Sequence, residues 1–362
     1  MKDVRISIVV ISIILICLGV VMIFSSSSVY ALKELKSSTY FLHRHLIFLV
    51  IGFALMFFMM SFNYQELQNY AKPLLFISII LLVLVLIPGI GKQASGARRW
   101  FRLGMISFQP SEFAKLAMII YVADFLARKQ NNIRSFMKGF LPIIMPMGAL
   151  CLLIVKEPDL GTTVSLAAVV LIMMFVAGTR MSHLLMIVLM ALPVIYYLIV
   201  RVPYRLARIM AFLDPWQDAK GIGFQLSQSQ IALGSGSFLG VGLGHSTQKL
   251  FYLPAAHTDF IFSIIGEELG LIGTLTVIIL FVLFIWQGAR IAKRTTDSFG
   301  YFLSVGLVSM IGLQAVVNIG VSIGALPTKG LPLPFISYGG SALVFNMMAV
   351  GLLLNVARAK EL

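Results

Sequence analysis

Long apolar runs recur along the whole chain, and they constrain the fold more than any other feature of the sequence. A transmembrane helix needs about 20 mainly apolar residues to cross a hydrocarbon core of roughly 30 Å. Ten runs reach or approach this length, with approximate limits of 6–24, 46–62, 74–90, 112–127, 140–155, 160–178, 184–200, 260–286, 301–325 and 340–357. Because a chain inside a bilayer must satisfy its own backbone hydrogen bonds, we predict an all-α polytopic membrane protein with about ten transmembrane helices.

The composition excludes a water-soluble globular protein. Hydrophobic residues make up 59% of the chain, charged residues only 12%, and the mean hydropathy is +0.96. Too few polar residues separate the runs for a soluble domain, so residues 1–362 are predicted to form a single integral membrane domain. The first run is longer than the apolar core of a typical signal peptide, and we interpret it as an uncleaved helix. Cys17 and Cys151 both lie in apolar runs and offer no disulfide framework.

The distribution of Lys and Arg gives a membrane orientation only in part. The net charge is +14. If the number of spans is even, both termini lie on one side of the membrane, which then has 13 Lys and Arg residues, and the other side has 14. Without the two longest loops, 89–110 and 201–258, the count becomes 13 against 5, which favours cytoplasmic termini. The two long outer loops then hold nine cations, which indicates an anion site unless long loops simply escape the positive-inside rule.

The loop 89–110 carries two candidate binding residues. Arg98 and Trp100 fit either an anion site or an interfacial aromatic belt, and the sequence favours neither.

The loop 201–258 is predicted to be a large extracytoplasmic loop that contains interfacial or re-entrant helices. Arg201, Arg205 and Arg208 recur every three or four residues and are predicted to share one face of an amphipathic helix. Attraction to anionic lipids explains that face as well as a bound diphosphate does. Seven glycines between 221 and 244 favour tight backbone approach, while GVGLGHS lacks the GK[ST] ending of a nucleotide-binding loop. We therefore predict no nucleotide.

Ionisable side chains inside apolar runs are costly in a bilayer and mark candidate sites. Glu112 and Lys115 are spaced i, i+3 and are predicted to pair inside the bundle, where a structural role is favoured over catalysis. Glu267 and Glu268 are about 100° apart on a helix and cannot both face one cavity squarely. One of them is expected to pair with a buried cation.

Asp259 stands where the long polar loop meets the eighth apolar run, in the sequence His257-Thr258-Asp259. A carboxylate at this boundary can stay ionised and act as a base, or it can serve as a helix N-cap. Position alone rates the two roles equally.

Eight motifs occur along nearly the whole chain, in the order in which one protein family has them, and the set is highly specific. They are GARRW, QPSEFAK, EPDLGT, YRLARIMAFLDPW, GFQLSQSQIALGSG, GLGHSTQKLFYLP, HTDFIFSIIGEELG and LPFISYGGS. By these motifs the chain resembles the SEDS family (shape, elongation, division and sporulation) of membrane-embedded peptidoglycan glycosyltransferases. GEELG after HTDFIF, and LPF before SYGGS, resemble the division or sporulation branch (FtsW-type) more than the elongation branch (RodA-type).

The resemblance implies that the chain polymerises lipid II into a β-1,4 glycan on the outer face of the bacterial cytoplasmic membrane and releases undecaprenyl diphosphate. Asp259 matches the family's essential aspartate and would be the base for the acceptor 4-hydroxyl in an inverting displacement. The candidate substrate-binding residues are Arg98, Trp100, Arg205, Arg208, Lys249 and Ser337. The candidate supporting residues are Glu112, Lys115, His257, Glu267 and Glu268, with His257 able to orient Asp259. Cations or a divalent metal, Mg²⁺ or Mn²⁺, would hold the diphosphate.

The resemblance also implies partners and a location. Besides lipid II and the undecaprenyl-diphosphate-linked glycan, these are a class B penicillin-binding protein, whose transmembrane helix packs on the bundle, and other division proteins. The division septum is the expected site, and no nucleic acid is expected as a partner. The chain departs from the family at Ala255 and Phe251, where many members have acids, and at Ala342, where a second Ser is usual.

Two functions from other classes fit part of the pattern. A lipid II transporter (flippase) would also have many spans, intramembrane charges and broken helices. Against it, the charged motifs cluster on one side and no clear internal repeat is found. A non-catalytic scaffold for a cell-wall complex would leave Asp259 dispensable.

Overall fold

A computed structural model describes residues 1–94, 97–104, 106–250 and 253–358 of the chain, and Phe251 lies outside these residues. Each of the ten apolar runs coincides with a helix, and two further helices lie in the loop 201–258. The twelve helices of the described residues are α1 (Lys2–Leu35), α2 (Tyr40–Ser61), α3 (Leu67–Leu86), α4 (Pro110–Arg128), α5 (Leu141–Lys156), α6 (Leu160–Val176), α7 (Met181–Val200), α8 (Pro203–Leu213), α9 (Phe224–Ser235), α10 (Ile261–Arg294), α11 (Ser298–Ser322) and α12 (Gly340–Arg358).

Eight helices in the described ranges are long and apolar enough to cross a membrane. They are α1, α2, α7, α10, α11 and α12, together with α3 and α5 when each is counted with the short helical turn before it, over Tyr64–Leu86 and Phe136–Lys156. The difference from the ten predicted runs comes from α6, which is apolar but has only 17 residues, and from α4, which carries Glu112, Lys115, Asp124 and Arg128. The chain is a multi-pass, all-α membrane protein, as the apolar runs predict.

Hydrogen bonds between distant segments define two ends of the helix bundle. At one end, the Ser341 hydroxyl at the start of α12 donates to the carbonyl oxygen of Ser107 at 2.9 Å. At the other end, the Tyr64 hydroxyl donates to Asp297 Oδ1 at 2.6 Å. Both large polar segments singled out in the sequence, 89–110 and 201–258, lie at the first end, which we call the site end.

The segment 89–110 forms a three-stranded antiparallel sheet, where the sequence suggested only a loop. Its strands are β1 (Lys92–Ala94), β2 (Ala97–Leu103) and β3 (Ile106–Phe108), in the order β1-β2-β3. The outer strands have only three residues each, too few for an alternating pattern to stand out. The pairing of β1 with β2 has a bulge, because Gln93 pairs with Arg98 and Lys92 pairs with Trp100, which leaves Arg99 as the extra residue of β2.

The large loop contains the predicted amphipathic helix, but its basic face is shorter than expected. Arg201 ends α7, and its guanidinium lies 5.2 Å from the centre of the Tyr197 ring. Pro203 then opens α8, because proline fits the first turn of a helix and cannot continue the preceding one. The prediction that Arg201 shares a helix face with Arg205 and Arg208 was therefore wrong.

A break in α10 lets the large loop fold back against the helix. Gly270 has a φ of +65° inside α10, and Gly240 in the loop has a φ of +81°. A β-carbon at Gly270 would lie 2.4 Å from the Gly240 nitrogen, so glycine satisfies both the left-handed backbone and the close approach. The backbone N–H of Val241 then donates to the Glu267 carbonyl at 2.9 Å. The loop is thereby fixed to the first turns of α10.

Candidate active site

Asp259 lies in a tight turn immediately before α10. The Ala255 carbonyl accepts the backbone N–H groups of Thr258 at 3.0 Å and Asp259 at 3.1 Å, and Ala255 has a left-handed φ of +58°. The N-cap position of α10 is Phe260, and no side chain caps this helix end. Within the described residues, no hydrogen bond engages the Asp259 carboxylate. Of the two roles that position alone allowed, the N-cap role is wrong, and the base role stays a prediction.

A segment between α11 and α12, residues 328–331, forms a wall beside this carboxylate. The Asn318 side-chain amide on α11 donates to the carbonyl oxygens of Asp259 at 2.9 Å and Leu331 at 2.8 Å. A β-carbon at Gly330 would lie 3.3 Å from Oδ2 of Asp259. The bridging amide therefore fixes the reactive turn and the wall relative to each other.

Two arginines act on the Asp259 carboxyl group. Arg208, on α8, donates from Nη1 to the Thr328 carbonyl of the wall at 3.4 Å. Burial raises the pKa of Asp259 to about 6; Arg208 opposes that rise, Asp159 adds to it, and Arg99 opposes it. A carboxylate with a pKa near 6 is ionised at neutral pH and still basic enough to accept a proton, which suits a general base.

Arg99 is held by the turn that joins α5 to α6. Its Nε and Nη2 donate to the carbonyl oxygens of Glu157 at 2.7 Å and Pro158 at 2.6 Å. Its Nη1 lies 3.8 Å from Asp159 Oδ2, while Asp159 Oδ1 accepts the backbone N–H of Thr162 at 3.0 Å. The EPDLGT motif thus orients an arginine and caps α6. Burial, followed by the charge of Asp159, raises the pKa of the Glu157 carboxyl to about 8, against the effect of Arg99.

Lys329 is a further cation at this site, and reasoning from sequence missed it. The residue is half-buried in the wall next to Gly330. Burial lowers the pKa of its ammonium, and Asp159 opposes that effect. No hydrogen bond or ion pair to this ammonium occurs among the residues that the structure describes. The only sequence signal is a lone lysine in a run of prolines and glycines, which did not distinguish it from a simple connector.

A family model described as a cell cycle protein, that of the FtsW/RodA/SpoVE family, matches residues 5–362. The chain belongs to this family. The resemblance to the SEDS family in the sequence motifs is thereby confirmed.

Relatives of this FtsW/RodA/SpoVE chain match over nearly their full length. A protein of Trichlorobacter lovleyi named "probable peptidoglycan glycosyltransferase FtsW" is 49% identical, over 95% of this chain and 90% of the relative. Stage V sporulation protein E of Bacillus subtilis is 46% identical, over 97% of this chain and 96% of the relative. A solved structure titled "Structural coordination of polymerization and crosslinking by a peptidoglycan synthase complex" is 30% identical, with a TM-score of 0.78 over 98% of this chain and 97% of that one.

Three of the predicted substrate-binding residues of this family member lie apart from the groups that act on Asp259. Arg98 and Trp100 are half-buried on β2, on either side of the bulged residue Arg99. Arg205 is buried and donates from Nη1 to the Leu198 carbonyl at 3.0 Å, which ties α8 to the end of α7. The motif GARRW was therefore informative, but the arginine that acts on Asp259 is the second of the pair, because the sequence does not show that the strand bulges at Arg99.

Lys249, also predicted to bind substrate, forms a buried ion pair instead. Its Nζ lies 2.8 Å from Glu268 Oε1, and the Ser25 hydroxyl on α1 donates to the same carboxylate at 2.7 Å. The neighbouring Glu267 accepts the backbone N–H of Thr247 at 2.8 Å. The two glutamates therefore hold the end of the large loop with different faces of α10, as their 100° separation predicts.

Glu112 and Lys115 form the ion pair that their spacing predicts, at 2.9 Å and inside the bundle. Lys115 also lines an enclosed cavity of about 10 Å³ with Gln314 and Leu331. A cavity of this size has room for about one water molecule. Since Leu331 belongs to the wall 328–331, the ion pair lies beneath the wall and supports it.

Ser337 was predicted to bind substrate, and its hydroxyl is occupied by the backbone. It donates to the Thr258 carbonyl at 2.6 Å, accepts the Leu333 backbone N–H at 2.8 Å, and is 3% exposed. It therefore locks the turn that carries Asp259 and has no surface left for a ligand.

His257 was predicted to orient Asp259, but no hydrogen bond joins its ring to that carboxylate within the described ranges. Its ring centre lies 4.6 Å from that of Phe41, and burial lowers the pKa of the imidazole to about 4. The ring is therefore neutral at physiological pH and packs as an aromatic group.

No cluster of three or more His, Cys, Asp or Glu side chains able to hold a metal ion occurs in the described part of the chain. Mg²⁺ often uses only one or two carboxylates together with substrate phosphates, but Asp159 already binds Arg99 and Thr162. Arg99, Arg208 and Lys329 supply positive charge beside Asp259. A divalent cofactor stays a prediction, and we derive no step that depends on it.

Proposed function

We propose that this chain is a peptidoglycan glycosyltransferase that polymerises lipid II into β-1,4 glycan strands and releases undecaprenyl diphosphate. The acceptor 4-hydroxyl gives its proton to Asp259 while its oxygen forms a bond to C1 of the lipid-linked donor. The bond from C1 to the diphosphate oxygen breaks, and its electron pair leaves with the diphosphate. Attack opposite an α-linked leaving group gives a β-linked product.

The observation that carries this proposal is the state of the Asp259 carboxylate. It caps no helix, has a pKa of about 6, lies beside the wall at Gly330, and accepts no hydrogen bond from the described residues. One base is sufficient, because a diphosphate is a good leaving group once its charge is neutralised and needs no proton from a second carboxyl.

We assign the binding of the leaving diphosphate to Arg208 and Lys329. Arg99 adds a positive charge that its own contacts hold in place. Arg208 binds the wall through a single long hydrogen bond of 3.4 Å, and its other donor groups can turn to a phosphate. The Lys329 ammonium has no hydrogen-bond or ion-pair partner among the described residues. Arg99 is already held by two carbonyls and Asp159, so it contributes mainly through its field.

The test is polymerisation of labelled lipid II by the purified protein in complex with its transpeptidase partner. Asp259→Asn keeps the size of the side chain and removes the base, so we expect the rate to fall by at least about a hundredfold. Asp218→Asn is the matched control, since Asp218 is exposed at the site end and only accepts the Ile222 backbone N–H at 3.1 Å, which Asn can also do. Equal polymer from wild type and Asp259→Asn would refute the mechanism.

The same preparation in liposomes distinguishes the alternatives. Flipping of lipid II by wild type and Asp259→Asn, without polymer from wild type, would indicate a transporter. Neither activity from wild type would leave the scaffold function.

The location and partners are part of the proposal. We place the site end on the outer face of the bacterial cytoplasmic membrane, with both termini cytoplasmic, and the protein at the division septum. A class B penicillin-binding protein is the proposed partner, which the solved synthase complex of a relative supports. The FtsW and sporulation protein E names of the relatives support the division or sporulation branch.

A further inference from the structure

Among the described residues, five rings form a cluster beside Asp259 that no step of the proposed reaction uses. They come from the outer end of α1, the start of α2, and the segments before α10 and α12. Phe41 is at the centre, and its ring centroid lies 4.6 Å from His257, 5.1 Å from Tyr338, 5.4 Å from Tyr40 and 6.1 Å from Tyr30. We call these five residues the aromatic cluster.

The aromatic cluster is joined to the turn that carries Asp259. The backbone N–H of Tyr338 donates to the His257 carbonyl at 3.0 Å, two residues before Asp259. The preceding residue, Ser337, binds the Thr258 carbonyl at 2.6 Å. The rings are therefore fixed relative to the base, as a substrate-positioning surface must be.

Part of the aromatic cluster is accessible to solvent. Tyr30 is 41% exposed, and His257 and Tyr338 are half-buried. Across the described residues, neither the His257 ring nitrogens nor the Tyr338 hydroxyl has a hydrogen-bond partner. An interfacial belt would place separate rings on the outer surfaces of helices. Here four segments bring their rings together next to a reactive carboxylate.

The chemistry of the cluster fits a neutral ligand with apolar faces and polar edges. It contains no carboxylate, and the His257 ring is uncharged at physiological pH. Two cations border it: Arg44, whose Nη1 donates to the Tyr40 hydroxyl at 3.4 Å, and Arg102, whose charge also acts on Tyr338. A pyranose ring has this character, because its C–H groups line one face and its hydroxyls radiate from the edge.

We infer that the aromatic cluster is a sugar subsite, in which a pyranose ring of the glycan lies against Tyr30 and Tyr338 and bonds a hydroxyl or acetamido group to His257. The inference rests on the proposed function. It adds the position of the acceptor sugar, whose 4-hydroxyl gives its proton to Asp259. The diphosphate lies on the side of Arg208 and Lys329, so the substrate runs from the wall 328–331 to the aromatic cluster.

The kinetic test uses Tyr30, because it lies at a helix end and is the most exposed ring of the cluster. Tyr30→Leu keeps an apolar side chain and removes the aromatic face, and we expect KM for lipid II to rise roughly fivefold with kcat nearly unchanged. Tyr30→Phe keeps the face and should restore the wild-type KM. Tyr70→Leu is the control, since Tyr70 is 53% exposed near the opposite end of the bundle. A wild-type KM in Tyr30→Leu would overturn the inference.

A binding measurement separates this inference from the proposed function. Saturation-transfer NMR on the full chain in detergent, with a soluble β-1,4-linked N-acetylglucosamine tetramer as the probe, requires no turnover. We expect transfer to sugar protons in wild type and Asp259→Asn and a clear loss in Tyr30→Leu and His257→Leu. Wild type that makes no polymer but binds the tetramer through these residues would refute the glycosyltransferase and keep the subsite. Polymerisation by wild type with equal tetramer binding in all variants would refute the subsite alone.

Discussion

A carboxylate acts as a base only while it is ionised, so the pKa of Asp259 sets the acidic limit of activity. Burial raises that pKa from 3.8 to about 6. We expect the initial rate of polymerisation to be full well above pH 6 and to fall about tenfold per pH unit well below it. The folded chain binds this proton more tightly than the unfolded chain, so the contribution of Asp259 to stability increases as pH falls from about 6 to about 4. A rate independent of pH between 5 and 7.5 would contradict the assignment.

Arg208 should affect both the leaving group and the base. Because its charge lowers the pKa of Asp259, Arg208→Gln should move the acidic limb of the rate profile to higher pH and lower kcat/KM by roughly tenfold or more. Arg201→Gln is the control, because Arg201 is exposed at the end of α7, just before α8. This variant should change neither the acidic limb nor kcat/KM. An unshifted limb in Arg208→Gln would show that Arg208 does not act on the base.

At the level of single residues, the sequence predicted the base better than its surroundings. Asp259 was identifiable because a family motif contains it, since its position alone rated the roles of base and helix cap equally. Arg99 was missed in favour of Arg98, since neither the strand nor its bulge at Arg99 was predicted. Lys329 was missed because its proximity to Asp259 depends on contacts between segments that are far apart in the sequence.

At the scale of elements, the buried pair of Lys249 and Glu268 holds the large loop to α10 and α1. Glu268→Gln would leave a buried ammonium without a counter-ion, and we expect a loss of roughly 3 kcal/mol in the free energy of unfolding. Replacing both residues, Lys249→Met with Glu268→Leu, should recover most of that loss. Thermal unfolding in detergent and hydrogen exchange of the loop give the measurement. If the double variant is stable but cannot polymerise lipid II, Lys249 binds substrate after all.

The break in α10 should tolerate no side chain. Gly270→Ala would place a β-carbon 2.4 Å from the Gly240 nitrogen and force a left-handed backbone on an L-residue. We expect faster proteolysis of the loop 236–250 and a lower thermal midpoint. Gly148→Ala in α5 is the control, because a β-carbon there has no neighbour within 4 Å. Equal midpoints for the two variants would mean that the close approach does not matter.

Elements were predictable where length and apolarity alone decide them. Each apolar run became a helix, because the bilayer leaves no other way to satisfy the backbone. The sheet at 89–110 was not predictable, since its strands are short and are stabilised by pairing with each other and by contacts such as Phe108 against Phe345. The end of α7 at Arg201 was predictable in principle from Pro203, and the three-residue spacing of arginines obscured it.

At the scale of the whole molecule, the two ends of the bundle should face different compartments. In a background of Cys17→Ala and Cys151→Ala, we expect Lys36→Cys, between α1 and α2, to react with an impermeant maleimide in intact cells. Lys129→Cys, after α4, should react only after permeabilisation. Both positions are exposed on the protein surface, so only the membrane should make their access to the maleimide differ. The reverse labelling pattern would place Asp259 in the cytoplasm, where the outer-face glycan cannot be made.

The bridging amide of Asn318 also bears on biosynthesis. Arg99 and Arg208 leave the ribosome before Asp259, whereas Asn318, Lys329 and Tyr338 leave it only after α10 is complete. A nascent chain that has already inserted Asp259 therefore has a base with no wall beside it. The enzyme becomes competent only when its last third has been made, so a partly synthesised chain cannot start glycan polymerisation during its own insertion.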